Sequence, residues 1–210
     1  MMFIRFGLFC LLSIASVPSV LANSGEESLQ TYLQRYKHLS GQFTQIISSD
    51  QSNYTQSSTG EFWVQKPNKF RWHYSTPYIQ EIISNGEKLW VYDEDLDQVT
   101  IKDASQSVGS SPLAIILGST SLDKLFVISL LEEKDGLQWL KLTPKTDSSG
   151  FDYIHVGFKS GLLSRMLLKD SFGQTTRLLF TDVSVHTPIA DDRFEFNVPE
   201  GVDVFEEASD

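Results

Sequence analysis

Gly60-Glu61-Phe62-Trp63-Val64-Gln65-Lys66-Pro67-Asn68-Lys69-Phe70-Arg71-Trp72 is the stretch on which the fold turns. Phe62 and Val64 alternate with more polar neighbours, and Phe70, Trp72 and Tyr74 do the same beyond Pro67-Asn68. A period of two is that of a strand with one buried face, and Pro-Asn is turn chemistry between two such runs. The stretch reads as a hairpin whose buried face is built largely from aromatic rings. Lys66 shares the parity of Phe62 and Val64. A lysine pointing into an apolar face needs a partner, and the unfilled carbonyls of a covering helix can supply one.

The same period continues downstream. Ile79–Ser84, Leu89–Tyr92 and Gln98–Lys102 read as strands. Asn85-Gly86 is a two-residue hairpin turn whose central positions need positive φ, and Asp93–Asp97 is another turn. Phe126–Leu131, Leu137–Leu142, Tyr153–Lys159, Leu162–Lys169, Thr175–Val185 and Phe194–Asn197 read as further strands, with turns at Gly161 and Phe172-Gly173. Upstream the period differs. Ser24-Gly25-Glu26-Glu27 has the capping-box pattern, and Leu29, Tyr32, Leu33, Tyr36 and Leu39 recur at helical spacing. Lys37 and His38 suit the negative end of that helix, and Gly41 is its expected stop. Ser110-Ser111-Pro112 through Gly118 predicts a short, very apolar helix, and Ser121–Leu125 another. The expected class is mainly β with a few helices. One long antiparallel sheet must curl or cover a face, and the two apolar helices are the natural covers.

The first residues carry a different message. Arg5 precedes a nearly continuous apolar run from Gly7 to Val17, and Val20 and Ala22 are the short residues of a cleavage site. The pattern predicts a signal peptide over 1–22, cleaved after Ala22, and export of the remainder. The run is too short to be a stable membrane anchor. Cys10, the one cysteine, lies inside it, so 23–210 is expected to fold as a single domain with no disulfide. The formal charge of −10 excludes nucleic-acid or anionic-bilayer binding through bulk electrostatics.

Motifs for chemistry are lacking. His38, His73, His155 and His186 have no metal-ligand spacing. Asp93, Asp95 and Asp97 imitate a calcium loop, but Gln98 stands where glycine is required and Ala104 where a bidentate glutamate is required. There is no P-loop, dinucleotide fingerprint or nucleophile elbow. No catalytic residue, metal or cofactor is expected, although a carboxylate pair assembled in space leaves a glycosidase-type enzyme open. The unusual feature is aromatic: Phe62, Trp63, Phe70, Trp72, Tyr74, Tyr78, Trp90 and Tyr92 crowd one hairpin-rich stretch. From composition alone this is either an ordinary core or the lining of an apolar hollow.

The residues from Gly60 to Trp72 closely resemble the signature stretch of the LolA family, periplasmic carriers of outer-membrane lipoproteins. Ser84-Asn85-Gly86, Leu89–Asp93, Gln98-Val99, Ser111-Pro112-Leu113, Leu142–Lys145, Phe172-Gly173-Gln174 and Phe194–Val202 continue the likeness in order. The resemblance implies an unclosed antiparallel β-barrel, a half-barrel with a helical lid over an apolar cavity. It implies a periplasmic carrier that is not an enzyme and uses no cofactor. Such a carrier accepts lipoproteins released from the inner membrane by an ABC transporter, shields their acyl chains and delivers them to an outer-membrane receptor. Lipoproteins, transporter and receptor would be its partners, and it would work as a monomer.

Carried over by position, Phe70 and Trp72 match cavity-lining residues, and Phe62, Tyr74 and Trp90 join them as the expected acyl-chain cavity. Leu33, Leu113, Ile116 and Leu117 are the lid candidates. Lys66 falls where many family members have an arginine that bonds lid carbonyls and holds the empty form shut. Lysine keeps the charge but loses the planar fork of donors, which implies a weaker latch. The alternative is a periplasmic lipoprotein-sensing or receptor domain of the same fold. A receptor would need a lipid-attached cysteine where Asn23 stands.

Overall fold

The alternating runs become strands of one twelve-stranded sheet in a computed structural model that describes residues 29, 31–32, 34–104, 116, 122–146, 150–185 and 187–207. The strands are β1 His38–Ser49, β2 Thr55–Gln65, β3 Lys69–Thr76, β4 Gln80–Asn85, β5 Lys88–Asp93, β6 Gln98–Asp103, β7 Phe126–Leu130, β8 Gln138–Pro144, β9 Phe151–Lys159, β10 Leu162–Asp170, β11 Gln174–Ser184 and β12 Asp203–Glu206. Their order is β12-β6-β5-β4-β3-β2-β1-β11-β10-β9-β8-β7. β1 lies mid-sheet, between two antiparallel meanders, and β12 adds itself in parallel to β6. The end strands β12 and β7 do not pair, so the sheet is open.

Alternation sorts the side chains onto two faces. Leu39, Phe43, Phe62, Val64, Phe70 and Trp72 belong to the inner face with Leu140, Ile154, Val156, Phe158, Met166, Leu178 and Phe180, and all are buried in one cluster. The helical residues Leu29, Tyr32 and Ile116 and the four-residue helix Leu122–Leu125, through Leu122, join the same cluster. The outer face of β4–β6 carries a smaller cluster, Ile83, Trp90 and Val99, packed against Phe196 and Val202 of the C-terminal segment. That segment is clipped on by Lys69–Asp191 at 2.7 Å and by Arg193 lying 4.6 Å from the centre of the Trp63 ring.

Two elements differ from expectation. The first helix does not run to Gly41, because β1 already starts at His38. Leu39 pairs with Val64 and Gly41 with Phe62, so the alternation Leu39, Gly41, Phe43 overrides the helical spacing. Gly41 is there for closeness: a Cβ on it would lie 2.8 Å from the Thr181 carbonyl oxygen and 3.1 Å from the Phe62 ring. The strand expected over Phe194–Asn197 is instead preceded by a single 3-10 turn, Asp191–Phe194, and is not itself paired. Phe194 is buried there as a plug rather than as a strand residue. The signal peptide expected over 1–22, residues 24–28 of the first expected helix, the helix expected over 110–118 apart from Ile116, and Leu33, Leu113 and Leu117 lie outside the described residues.

Candidate functional site

An apolar cavity of about 410 Å³ opens on the inner face of the sheet. Ile47 of β1, Trp72 and Tyr74 of β3 and Ile82 of β4 form one wall, and Phe151 of β9, Leu168 of β10 and Leu178 of β11 form the other. Ile116 adds a helical residue, and Phe172 at the β10–β11 turn stands 80% exposed at the rim. Ile82 and Phe151 sit six strands apart in the sheet order, which in a flat sheet would separate them by about 29 Å at ~4.8 Å per strand. Sharing one cavity requires the sheet to curl.

Under the cavity lies a packed aromatic floor. Phe43 stacks on Trp72 with ring centres 4.2 Å apart and meets Tyr74 edge-on at 5.1 Å. Phe62 stacks on Trp72 at 5.7 Å and meets Phe180 edge-on at 5.5 Å. Such pairs each contribute about 0.5–1.5 kcal/mol beyond area burial. Gly60 makes the floor possible: a Cβ there would stand 2.7 Å from the Phe43 ring and 1.9 Å from the His73 carbonyl oxygen.

The residues singled out from sequence separate into layers. Trp72 and Tyr74 line the cavity, and so does Ile116. Phe62 and Phe70 belong to the buried floor rather than the wall. Trp90 is turned to the opposite face, where it pairs across from Ile83 and packs in the outer cluster. The reading missed Ile47, Ile82, Leu168 and Leu178. Ile82 was within reach, because Trp72 and Ile82 are register partners of the β3–β4 hairpin.

Few charges touch this face. The Asp170 carboxylate accepts the backbone N–H groups of Phe172 at 2.9 Å and Gln174 at 2.7 Å, which ties it into the β10–β11 turn. Lys66 directly follows β2, with its ammonium 5.0 Å from the centre of the Tyr32 ring on the first helical segment. Its backbone N–H donates to the Lys37 carbonyl at 2.8 Å. Burial pushes the Lys66 ammonium down to about 8, since a low-dielectric surrounding disfavours the charged form. The same burial pushes the Tyr32 phenol far above its ordinary value, with Tyr36 adding to it. The ion pair of Arg71 with Glu81, joined by His73 at 3.3 Å, belongs to the outer face.

A second hollow of about 500 Å³ adjoins the first and shares Gln45 and Tyr74 with it. Its lining is more polar than the first, with Gln56, Ser58, Gln80, Asp93 and Asp95 beside Pro77, Tyr78 and Leu96. The Tyr74 phenol donates to Gln45 Oε1 at 3.3 Å. Burial raises its pKa, offset in part by the neighbouring indole of Trp72 and by Gln45. The arrangement can hold an extended apolar chain with its polar end at the mouth. It presents no nucleophile with a base beside it among the described residues of either lining.

The sequence model described as outer membrane lipoprotein carrier protein LolA matches residues 34–197. An outer-membrane lipoprotein carrier protein of Methylobacillus flagellatus is 38% identical over 188 residues, which span 90% of this chain and 92% of that one. The protein of the same description from Cupriavidus taiwanensis is 42% identical over 184 residues, 86% of this chain and 87% of its own. In fold, the chain is similar to an uncharacterized conserved protein from Thermus thermophilus, with a TM-score of 0.56 at 10% identity over 87% of this chain and 99% of that one.

Proposed function

From the premise that this chain belongs to the LolA family of outer membrane lipoprotein carrier proteins, we propose that it carries lipoproteins across the periplasm with their acyl chains in the 410 Å³ cavity. The observation that supports this best is the cavity itself: aromatic and aliphatic walls, open at one end, on the inner face of an open sheet. An acyl chain of sixteen carbons represents about 12 kcal/mol of gross transfer free energy at ~0.8 kcal/mol per buried methylene. Release into water would be too slow to serve transport. Cargo must pass between apolar surfaces with water kept out, from an inner-membrane ABC transporter to an outer-membrane receptor.

The size of the cavity says how. A dry cavity of roughly 150 Å³ holds the six carbons of benzene, so sixteen carbons need about 400 Å³ by the same packing. The cavity of about 410 Å³ therefore has room for one chain, and a lipoprotein with two or three is accommodated by displacing the helical segment that carries Ile116 and the neighbouring one that carries Tyr32. Those segments act as the lid. Lys66, seated on Tyr32, is the latch that couples β2 to the first of them. Loading shifts an equilibrium between a closed empty form and an open filled one. Native mass spectrometry of the protein taken from periplasm tests the proposal. A co-purifying diacyl or triacyl protein supports it; a bare mass that takes up no lipoprotein on incubation refutes it.

A further inference from the structure

The polar hollow beside the cavity is built for a different part of the same cargo, on the reading that the cavity carries acyl chains. Its described lining holds Gln45, Gln56, Gln80 and Ser58, with the carboxylates Asp93 and Asp95, beside the apolar Pro77, Tyr78 and Leu96, and neither lysine nor arginine. The glutamines are already half committed. Tyr74 donates to Gln45 Oε1 at 3.3 Å and Tyr54 donates to Gln56 Oε1 at 2.5 Å. Both amide NH₂ groups are thereby left as donors. Gln80 is committed the other way, its Nε2 donating to Asp93 Oδ2 at 3.5 Å, which leaves its Oε1 as an acceptor. On the wall of the adjoining apolar cavity, the buried indole of Trp72 lies beside the Tyr74 phenol that the two hollows share.

We propose that this hollow is a head-group subsite that receives the ester and amide groups joining acyl chains to a polypeptide N-terminus, and that it turns away phosphate head groups. The amide donors of Gln45 and Gln56 match carbonyl oxygens, and the Gln80 oxygen matches a peptide N–H. The carboxylates of Asp93 and Asp95, with no base beside them in the lining, repel an anionic phosphate, whose charge an apolar neighbourhood makes more costly still. Acyl chains alone cannot separate a lipoprotein from the phospholipids that surround it in a membrane. A vestibule that offers amide donors and carries negative charge can.

The test measures binding of three probes to the signal-free full chain: a synthetic lipopeptide with an N-acetyl, S-dipalmitoylglyceryl cysteine and dipalmitoyl phosphatidylglycerol, matched in their two acyl chains, and hexadecanol as a single-chain reference. The wild type is expected to favour the lipopeptide over phosphatidylglycerol by about tenfold or more, at roughly tenfold per 1.4 kcal/mol. Gln56→Leu with Gln80→Leu should cut the preference for lipopeptide over hexadecanol about tenfold. Gln80→Lys should raise phosphatidylglycerol binding. Each variant is scored at an unchanged unfolding midpoint. A wild type that binds all three probes alike, a double variant that keeps the full preference, or a Gln80→Lys protein that still rejects phosphatidylglycerol overturns the subsite while leaving acyl carriage intact. A wild type that binds none of the three overturns acyl carriage and the subsite with it.

Discussion

Ile82→Glu puts a carboxylate on the cavity wall without disturbing the floor. Ile82 is half-buried and lies opposite Trp72 in the sheet. In the empty protein the new carboxylate can reach the open mouth and stay hydrated, so the cost to folding is limited to the lost contacts of one half-buried aliphatic side chain, about 1–2 kcal/mol. Acyl binding is another matter. An entering chain takes the water away, and the carboxylate protonates rather than be buried charged. From an ordinary glutamate value of about 4.3, protonation at pH 7 costs about 3.7 kcal/mol at 1.36 kcal/mol per unit. That sets the charge-dependent part of the loss of affinity at up to roughly 500-fold at pH 7 and only about fivefold at pH 5, on top of a pH-independent loss from burying the neutral carboxyl. The assay is displacement of an acyl-chain probe at both pH values, with Ile46→Glu on the outer face as the control. A protein that folds and binds within threefold of wild type at pH 7, or that loses affinity equally at both pH values, refutes the placement of Ile82 in the acyl path.

Lys66→Met should change the pH dependence of stability. The folded Lys66 loses its proton near 8, against 10.5 for the free side chain, so between these values the unfolded chain binds more protons and stability rises with pH. The full 2.5-unit difference would be about 3 kcal/mol, and partial exposure reduces it to about 1–2 kcal/mol. Tyr32, whose folded pKa is raised, opposes this above pH 10, where the unfolded phenol ionises first. Thermal midpoints from pH 7.5 to 9.5 should rise in the wild type and stay flat in Lys66→Met. Lys66→Arg should tighten the closed form and lower binding of a hydrophobic dye to the empty protein several-fold; unchanged dye binding would remove the latch. Gly60→Ala should cost about 3 kcal/mol or more in urea unfolding, because its methyl would stand 1.9 Å from the His73 carbonyl oxygen.

The β2–β3 hairpin was legible because one face carries Phe62, Val64, Phe70, Trp72 and Tyr74 while the other, Trp63 apart, carries Glu61, Gln65, Lys69, Arg71 and His73. β5 was not, because Leu89-Trp90-Val91-Tyr92 is apolar at every position. The face that Trp90 takes is decided by its register with Ile83 and by Phe196 and Val202, a hundred residues away, which cover it. Leu39 was ambiguous for a different reason. It stands three residues after Tyr36 and two before Gly41, so both periods claim it, and pairing with Val64 settles the matter. β12 has no alternation to read. Val204 and Phe205 are adjacent and exposed, and the strand exists through its parallel pairing with β6. Within the cavity, Phe70 and Trp72 share a strand and a face, and only depth along β3 makes one floor and the other wall. Parity names a face; it cannot say where on that face packing stops and a hollow begins.

The most direct measurement is a cross-link from the cavity wall to the cargo. A photoreactive side chain at position 82, and another at position 46 on the outer face, are activated in protein loaded with a lipoprotein whose acyl chains alone carry an isotopic label. Carriage in the cavity predicts labelled adducts at position 82 and none at 46. Equal labelling at both positions, or adducts at 82 only to the polypeptide of the cargo, would contradict it.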